Sequence, residues 1–389
     1  LSVLRNSSIR LSIIGLAMFW SVGQVMLAAF PAFAKDSLGE LNTIVIQGIL
    51  AATGVGIAIG SLIAGRCSKN YIETGIIPIG AIGLAIGLFI LPQLDSALTL
   101  SLNFLWIGVM GGLFIIPLNA LIQYHAKDKD LGKTLAANNL IQNIAMLSFL
   151  ALTVAFSLAN IASQQLLQLI AVIALVGGVY TIYKLPQSLI RFGLGFVMSR
   201  HYKADVQGMQ NIPQKGGVLL LGNHISFVDW AIIQIACPRP VHFVMEKSIY
   251  DRWYLQWFLK LVGCIPIQTG AQSKAALADI AALLDAGKVV CLFPEGTLSR
   301  TGNMATFRKG YERAVELSHD ESICIVPFYL HGLWGSQFSR SSTRIKSTRS
   351  TAYTRDVMIA FGEAMPKDTS TDVLKRRVFD LSIHAWDAH

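Results

Sequence analysis

Six long apolar stretches dominate the first half of the sequence. Each is long enough to cross a bilayer, which takes about 20 mostly apolar residues, and none has Asp, Glu, Lys or Arg in its core. They occupy residues 9–34, 43–65, 75–92, 97–122, 135–159 and 164–183. A buried helix of a soluble protein could imitate one of these stretches, but not six in series. We therefore predict a six-helix transmembrane domain at residues 1–188, and five further spans exclude a cleavable signal peptide.

The connections between these stretches differ in charge. Lys and Arg near the ends of membrane helices resist translocation. The basic residues fall in alternate connections: Arg5, Arg10, Arg66, Lys69, Lys127, Lys129, Lys133, Lys184 and Arg191. The other three connections hold one basic residue, Lys35. Both ends of the bundle are therefore predicted to face the cytoplasm.

Charge also divides the chain into two halves. Residues 1–190 hold only 15 of the 55 Asp, Glu, Lys and Arg residues. The whole sequence is 53% hydrophobic and 14% charged, whereas soluble domains average about 45–50% and about 25%. This composition excludes an ordinary soluble protein and a disordered one. Five scattered cysteines without a CxxC pair argue against a disulfide framework or a zinc module.

Small and polar residues recur within the apolar stretches. Gly56 and Gly60 lie four apart, a spacing that lets membrane helices approach closely. The fifth stretch carries four amide side chains about one turn apart: Asn138, Asn139, Gln142 and Asn143. These amides fit either hydrogen bonds between helices or a polar translocation path.

The first half resembles one half of a known transporter type. Six spans, the segment 60–66 leading into a short basic connection, and the segment 71–80 are similar to the C-terminal six-helix repeat of major facilitator proteins of the lysophospholipid-transporter branch. Such transporters have two halves with the substrate between them. The resemblance therefore implies an N-terminal transporter half outside this sequence.

The second half reads as alternating strands and helices. Short apolar runs, typical of buried strands, occupy residues 218–221, 241–244, 264–267, 289–293, 323–329 and 357–361. Amphipathic segments at 273–286 and 309–319 are predicted helices. Residues 189–389 should thus form a cytoplasmic α/β domain with a mainly parallel sheet. In such sheets, functional groups collect on the loops that leave the carboxyl ends of the strands.

The loop after the run 218–221 carries a histidine and an aspartate, His224 and Asp229. On one continuous helix these side chains would point about 140° apart. Across a strand-to-helix turn, however, the carboxylate can reach one ring nitrogen and leave the other as a base. The alternative is that Asp229 caps a helix and His224 fills a loop.

A second loop begins where the run 289–293 ends. Residues 293–300 read Phe-Pro-Glu-Gly-Thr-Leu-Ser-Arg, and residues 307–310 read Phe-Arg-Lys-Gly. A glycine-bearing turn with hydroxyls, an Arg and a Lys suits the binding of a phosphate. Taken singly, Thr297 or Lys309 fits ordinary loop chemistry equally well. Lys309 is nonetheless a candidate substrate-binding residue.

Together, the two loops resemble the glycerolipid acyltransferase superfamily, marked by Asn-His-x4-Asp and Phe-Pro-Glu-Gly-Thr-x-Ser. The resemblance covers residues 190–389 and implies that His224 is a general base with Asp229 as its partner. It implies binding of the acceptor's glycerophosphate by Glu295, Gly296 and Thr297, with Arg300 as a weaker extension.

One block departs from the family pattern. The family usually has Gly-x5-Arg, with the Arg on the acceptor phosphate, whereas residues 263–269 contain no Arg. This favours a head-group-bearing lysophospholipid over a phosphate monoester. A similar departure occurs in fusion proteins that join a lysophospholipid transporter, a 2-acylglycerophosphoethanolamine acyltransferase and an AMP-forming acyl-ACP synthetase. No such ligase occurs before residue 389, so we expect it as a missing C-terminal part or a separate partner.

Together with the membrane helices, the resemblance implies a membrane-bound O-acyltransferase of phospholipid remodelling. The acyl donor would be a thioester of acyl carrier protein or coenzyme A (acyl-ACP or acyl-CoA). The acceptor would be a lysophospholipid, with lysophosphatidylethanolamine as the expected one; no bound cofactor or metal is expected. The absence of G-x-S-x-G disfavours a serine hydrolase. Two alternatives remain open: a 1-acylglycerol-3-phosphate acyltransferase, or a lysophospholipid permease with a non-catalytic soluble domain.

The expected location is a membrane, with the bacterial inner membrane as the specific prediction. Residues 322–355 contain no acidic residue. Their basic residues are Arg340, Arg344, Lys346, Arg349 and Arg355. Such a segment either attracts anionic membrane lipids or forms a solvated loop. A nucleic-acid partner is not expected, because half of the chain is embedded in lipid.

Overall fold

The computed structural model describes residues 6–39, 42–69, 71–268, 273–349 and 354–387. Arg5 and Thr269, on which part of the sequence predictions rests, lie outside these residues. The chain divides into two compact units, Leu1–Leu189 and Ile190–His389.

Six long helices make up most of the first unit where it is described. They are α1 (Ser7–Leu38), α2 (Thr43–Cys67), α3 (Ile76–Ile90), α4 (Ala97–His125), α5 (Leu131–Leu158) and α6 (Ser163–Lys184). The side chains of Asn6, Asn42 and Ser96 accept hydrogen bonds from the first free amides of α1, α2 and α4, which fixes where these helices begin. All six, α3 together with the turn Leu91–Gln93 that follows it, are long and apolar enough to cross a membrane, so the six predicted apolar helices are confirmed.

Helices α2 and α4 pack closely through glycines. A side-chain carbon at Gly56 would overlap the carbonyl oxygen of Leu105, and one at Gly60 would overlap that of Val109. The close approach predicted from this spacing is confirmed. In α5, Gln142 Nε2 donates to Asn138 Oδ1 at 2.8 Å, so this pair bonds within its own helix rather than between helices.

The boundary between the two units falls after Leu189, within the next helix. Helix α7 (Pro186–Met198) begins one residue after α6 ends. The strands are β1 (Tyr202–Gln207), β2 (Val218–Gly222), β3 (Val241–Glu246), β4 (Ile265–Ile267), β5 (Val289–Leu292), β6 (Cys324–His331), β7 (Arg355–Phe361) and β8 (Met365–Pro366). The remaining helices are α8 (Asp229–Ala236), α9 (Lys247–Tyr250), α10 (Trp253–Val262), α11 (Ser273–Asp285), α12 (Gly310–Glu316), α13 (Thr343–Arg349) and α14 (Thr371–Asp387).

The eight strands form one mixed sheet in the order β1-β7-β6-β2-β5-β3-β4, with β8 beside β6. Neighbours from β6 to β4 run parallel, and β7 and β8 run antiparallel to β6. The predicted fold class, a six-helix bundle followed by an α/β domain with a mainly parallel sheet, is confirmed.

Apolar layers cover both faces of this sheet. Strand β2 contributes Leu220 to one layer and Leu219 and Leu221 to the other, because successive side chains of a strand point to opposite faces. Helix α8 lies in the first layer, and α11, α12 and α14 lie in the second. Since β2, β3, β5 and β6 are mutually parallel, the loops after them emerge at one edge of the sheet.

Candidate active site

The first site loop is anchored where β2 ends. The buried amide of Asn223 donates from Nδ2 to the Leu330 carbonyl at 2.9 Å and accepts from the Leu330 amide at Oδ1, at 2.7 Å. This side chain therefore bonds to β6 as a strand peptide would. The residue before it, Gly222, has no room for a side-chain carbon, which would overlap the carbonyl oxygen of Phe328. The chain thus enters the loop in a fixed position.

His224 and Asp229 are in direct contact. His224 Nδ1 lies 2.7 Å from Asp229 Oδ2. The same oxygen accepts the main-chain amides of Ile225 at 2.7 Å and Ser226 at 3.0 Å. Asp229 is the first residue of α8, yet its carboxylate reaches back to the loop before the helix. The two sequence-based alternatives are resolved in favour of the contact, since this carboxylate organises the loop and holds the imidazole.

The free side of the imidazole faces a partly open space. His224 Nε2 makes no hydrogen bond with any residue that the structure describes, and the His224 side chain is 23% exposed. The ring stacks on Phe293, with centroids 3.9 Å apart and planes 14° apart. Because an ionised carboxylate only accepts, Nδ1 carries the hydrogen and Nε2 keeps its lone pair. This is the arrangement that a general base requires.

Burial determines the electrostatics of the His224–Asp229 pair. Asp229 is fully buried, and its Oδ1 has no hydrogen-bond partner among the described residues. Burial raises the pKa of the Asp229 carboxyl above its ordinary value, while the bonds from His224, Ser226 and Ile225 oppose that rise. A positive charge that forms on His224 would be stabilised by this carboxylate in a medium that screens charge weakly.

Glu295 ties the second loop to the first. It is 3% exposed, and its two oxygens accept the main-chain amides of His224 and Ala305, each at 3.0 Å. The Ser299 amide also donates to the His224 carbonyl at 2.8 Å. Burial raises the pKa of the Glu295 carboxyl. Glu295 was predicted from the sequence to bind substrate; in the structure one of its oxygens joins the two loops and the other bonds within the second loop.

The other predicted binding residues lie on the surface. Gly296 has φ +69°, and a side-chain carbon there would come within 3.1 Å of the Arg308 guanidinium. Thr297, Arg300 and Lys309 are exposed, and no side-chain hydrogen bond or ion pair joins them to His224 in the described part of the chain. Exposed hydroxyl and cationic groups of this kind can bind a phosphate.

Three side chains have roles that were not predicted from the sequence. Phe293 stacks on the imidazole, Asn223 anchors the loop, and Arg308 lies beside Gly296. Each belongs to one of the blocks quoted above, so the signal was present. The sequence does not indicate which neighbouring residue each of these side chains contacts.

The cysteine thiols are poor nucleophiles. Burial raises the pKa of Cys237 and of Cys264 to about 11, and raises that of Cys291 well above its usual range. A thiol is a nucleophile only as its thiolate. Across the described ranges, no group of three His, Cys, Asp or Glu side chains is placed to hold a metal ion.

The basic residues of segment 322–355 have different surroundings in the structure. Arg355 donates to the carbonyls of Gly332 at 2.6 Å and Trp334 at 3.2 Å, so it supports the loop after β6. The Arg340 guanidinium lies 5.9 Å from the ring centre of Phe227, in the loop between His224 and Asp229. The Arg349 side chain lies outside the described part.

Comparison with known proteins finds one matching family model and relatives of two kinds. Residues 203–331 match the Acyltransferase family model. The lysophospholipid transporter LplT of Serratia proteamaculans is 35% identical over 151 residues, which are 38% of this chain and 37% of the transporter. LplT of Klebsiella pneumoniae is 33% identical over 150 residues, with the same shares. This chain thus spans little more than a third of the transporters' length.

Two acyltransferases are also similar. The 1-acyl-sn-glycerol-3-phosphate acyltransferase of Borreliella burgdorferi is 28% identical over 131 residues, 33% of this chain and 51% of that enzyme. The crystal structure of the 1-acyl-sn-glycerophosphate acyltransferase PlsC from Thermotoga maritima superposes on 52% of this chain and 82% of that chain, with 16% identity and a TM-score of 0.41. The family match confirms the predicted acyltransferase domain, which is fused to a transporter-like N-terminal region.

Proposed function

We propose that this chain, an acyltransferase-family domain joined to a transporter-like membrane bundle, transfers a fatty acyl group to the free hydroxyl of a lysophospholipid. The observation that carries the proposal is the His224–Asp229 contact of 2.7 Å, with no partner for Nε2 among the residues that the structure describes. A hydroxyl is a poor nucleophile at neutral pH, so a base must take its proton as it attacks. General-base catalysis of this kind contributes typically ~10²–10⁴ in rate.

The reaction runs in one displacement. His224 Nε2 takes the hydroxyl proton while the lipid oxygen bonds to the carbonyl carbon of an acyl thioester. The carbon–sulfur bond breaks, and the departing sulfur receives the proton from His224. Asp229 stabilises the imidazolium between these two proton transfers. The raised pKa values of the buried cysteines support a route without a covalent acyl-enzyme.

The acyl donor is a thioester of acyl carrier protein or of coenzyme A. Both present the same reacting group, so the chemistry at His224 is the same for either. Competition between labelled acyl-ACP and acyl-CoA in one reaction mixture identifies the donor that is used.

The acceptor that we propose is lysophosphatidylethanolamine. Its phosphate is a diester with one negative charge and demands fewer cations than a phosphate monoester. The missing Arg in residues 263–269 is consistent with this lower demand. Thr297, Arg300, Arg308 and Lys309 are the exposed groups that we assign to the acceptor phosphate.

A second acceptor class has support of its own. The relative from Borreliella burgdorferi is named as a 1-acyl-sn-glycerol-3-phosphate acyltransferase, and three of the exposed groups assigned to the phosphate are cations. A preference for 1-acylglycerol-3-phosphate over lysophosphatidylethanolamine in kcat/KM would select this alternative.

We assign the membrane bundle to holding or moving the lysophospholipid. The transporter relatives and an apolar cavity of about 500 Å³ within the bundle support this role. Lys184 is among the lining residues. The alternation of basic connections supports a cytoplasmic position for the acyltransferase domain. Lysophospholipid movement across proteoliposomes without any acyl transfer would indicate a permease instead.

The deciding experiment replaces the base. Purified full-length His224→Ala should lose at least ~10²-fold in thioester-dependent acylation of lysophosphatidylethanolamine. His319→Ala is the matched control, because His319 also faces a carboxylate, Asp285 Oδ2 at 3.1 Å, but is 93% exposed. Equal activity of His224→Ala and His319→Ala would remove the proposed mechanism.

A further inference from the structure

Helix α10 exposes an aromatic face. Trp253 is 84% exposed, Trp257 is 66% exposed and Leu261 is 42% exposed. These residues are spaced four apart and so lie on one side of the helix. Leu259 and Val262, on its other side, are buried. A contiguous apolar surface of this kind marks a site of interaction.

The position of α10 relates this face to the candidate active site. Phe258 packs against Trp230 with ring centroids 6.3 Å apart, and Trp230 directly follows Asp229. Strand β3 ends at the same edge of the sheet as β2, and α10 begins soon afterwards, following α9. The exposed tryptophans therefore begin at the edge that carries His224.

Cations lie on and beside this face, and the nearest acid, Asp251, is paired with Lys247 at 2.7 Å. Arg252 precedes the helix and Lys260 lies within it, and both are exposed. No acidic residue occurs between Asp251 and Asp279. Basic residues near a bilayer are attracted to anionic lipids, and Trp and Tyr concentrate where hydrocarbon meets headgroups.

Helix α10 is linked through helix α8 to helix α7. Helix α7 packs on α8, where a side-chain carbon at Gly195 would lie 3.8 Å from Ile235. Helices α7 and α8 contribute to the same apolar layer of the sheet, and α10 contacts α8 through Phe258 and Trp230. Helix α7 itself starts one residue after α6. Helices α6 and α7 are thus separated by a single residue, Leu185.

We propose that α10 is an interfacial helix that inserts its aromatic face into the headgroup region of the bilayer. Trp253, Trp257 and Leu261 enter the lipid, while Arg252 and Lys260 bind anionic headgroups. Amphipathic helices with this division of residues lie in the plane of a membrane surface. Seating α10 in the lipid brings the sheet edge with His224 to the surface where a lysophospholipid resides.

Photo-cross-linking tests the contact without any assay of activity. The full-length protein is reconstituted in phosphatidylethanolamine and phosphatidylglycerol liposomes that contain a phospholipid with a benzophenone near its glycerol. Trypsin cleavage after Arg252 and Lys260 releases residues 253–260 as one peptide, which should carry lipid adducts. The control is α14, which exposes Phe379 and Ile383 but contributes Leu374 to the opposite layer; its peptide should carry none.

Two results would overturn the proposal. One is the absence of lipid adducts on residues 253–260 when the membrane helices are labelled. The other is cross-linking of these residues to a second copy of the chain, seen as a dimer on a denaturing gel.

A second experiment, an activity assay, rests on the proposed function. The double variant Trp253→Ser and Trp257→Ser should lose at least about tenfold in kcat/KM for lysophospholipid in liposomes, because interfacial binding scales with buried apolar area. It should stay within about twofold of the wild type on a short-chain acceptor dissolved as monomers. Phe379→Ser should match the wild type on both.

The cross-linking experiment and the activity assay distinguish a failure of the interfacial role from a failure of the proposed function. Equal losses of the double variant on both acceptors would overturn the interfacial role. Adducts on residues 253–260 in a protein without acyl transfer would keep the helix assignment and remove the proposed function.

Discussion

Replacing Asp229 by Asn isolates the charge of the carboxylate from its geometry. All three hydrogen bonds to this side chain, from His224 Nδ1 and from the amides of Ile225 and Ser226, end on Oδ2. Oδ1 has no partner among the described residues. An amide oxygen placed at Oδ2 can therefore keep every bond, and the NH2 group takes the place of Oδ1. The variant thus loses the negative charge while it keeps the hydrogen bonds to His224, Ile225 and Ser226.

The size of the effect follows from Coulomb's law. Charges on an imidazolium and a carboxylate in direct contact lie about 4 Å apart, and at an effective dielectric constant of about 20 they attract by about 4 kcal/mol. With the proton half transferred, about half of this energy acts in the transition state. A loss of about 2–4 kcal/mol lowers kcat about 30- to 1000-fold. The unpaired NH2 costs about 1–3 kcal/mol of stability.

The assay compares Asp229→Asn with Asp285→Asn. Asp285 accepts the His319 and Asp320 amides and faces His319 Nδ1 at 3.1 Å. It precedes β5, at the edge of the sheet opposite His224. Asp285→Asn should keep the wild-type kcat, whereas Asp229→Asn should fall as calculated with KM little changed. An Asp229→Asn kcat within about threefold of the wild type would refute the assignment of this carboxylate to the base.

Three further changes test the loops and the thiols. Glu295→Gln leaves one main-chain amide without an acceptor, which costs about 1–3 kcal/mol; circular dichroism should show a lower Tm, and kcat should fall. Gly296→Ala forces a left-handed φ that costs about 1–2 kcal/mol and displaces Arg308, so KM for the acceptor should rise. Iodoacetamide at neutral pH should leave activity intact and Cys237 and Cys291 unmodified in mass spectra, because burial raises their pKa values; inactivation that tracks their alkylation would contradict this.

The membrane helices and the central strands were predictable from the sequence for one reason. A span must be apolar over its whole length, and a strand covered on both faces, such as β2, must be a continuous apolar run. The same reason explains what was missed. Strand β1 (Tyr202–Gln207) is polar and lies at the edge of the sheet, and β8 has two residues. Neither carries a hydrophobic signal that differs from a loop.

The site was predictable only in part. The spacing of His224 and Asp229 allowed their contact, and the structure shows it. The hydrogen-bond partners of Glu295 could not be predicted from the sequence, because they are main-chain amides and every residue except proline has such an amide. A glutamate that binds a substrate and a glutamate that bonds to a loop look the same in a sequence. Only the fold brings Glu295 to an amide 71 positions away.

The site therefore separates into a buried part and an exposed part, and the two can change independently. Asn223, Asp229 and Glu295 are buried and bonded to main-chain groups, so a substitution at any of them moves the base and affects every substrate. Thr297 and Lys309 are exposed, and within the described ranges their side chains make no hydrogen bond or ion pair with this framework. A substitution there should change KM for one acceptor relative to another while kcat stays near the wild-type value. Acceptor choice can thus vary without disturbing the imidazole.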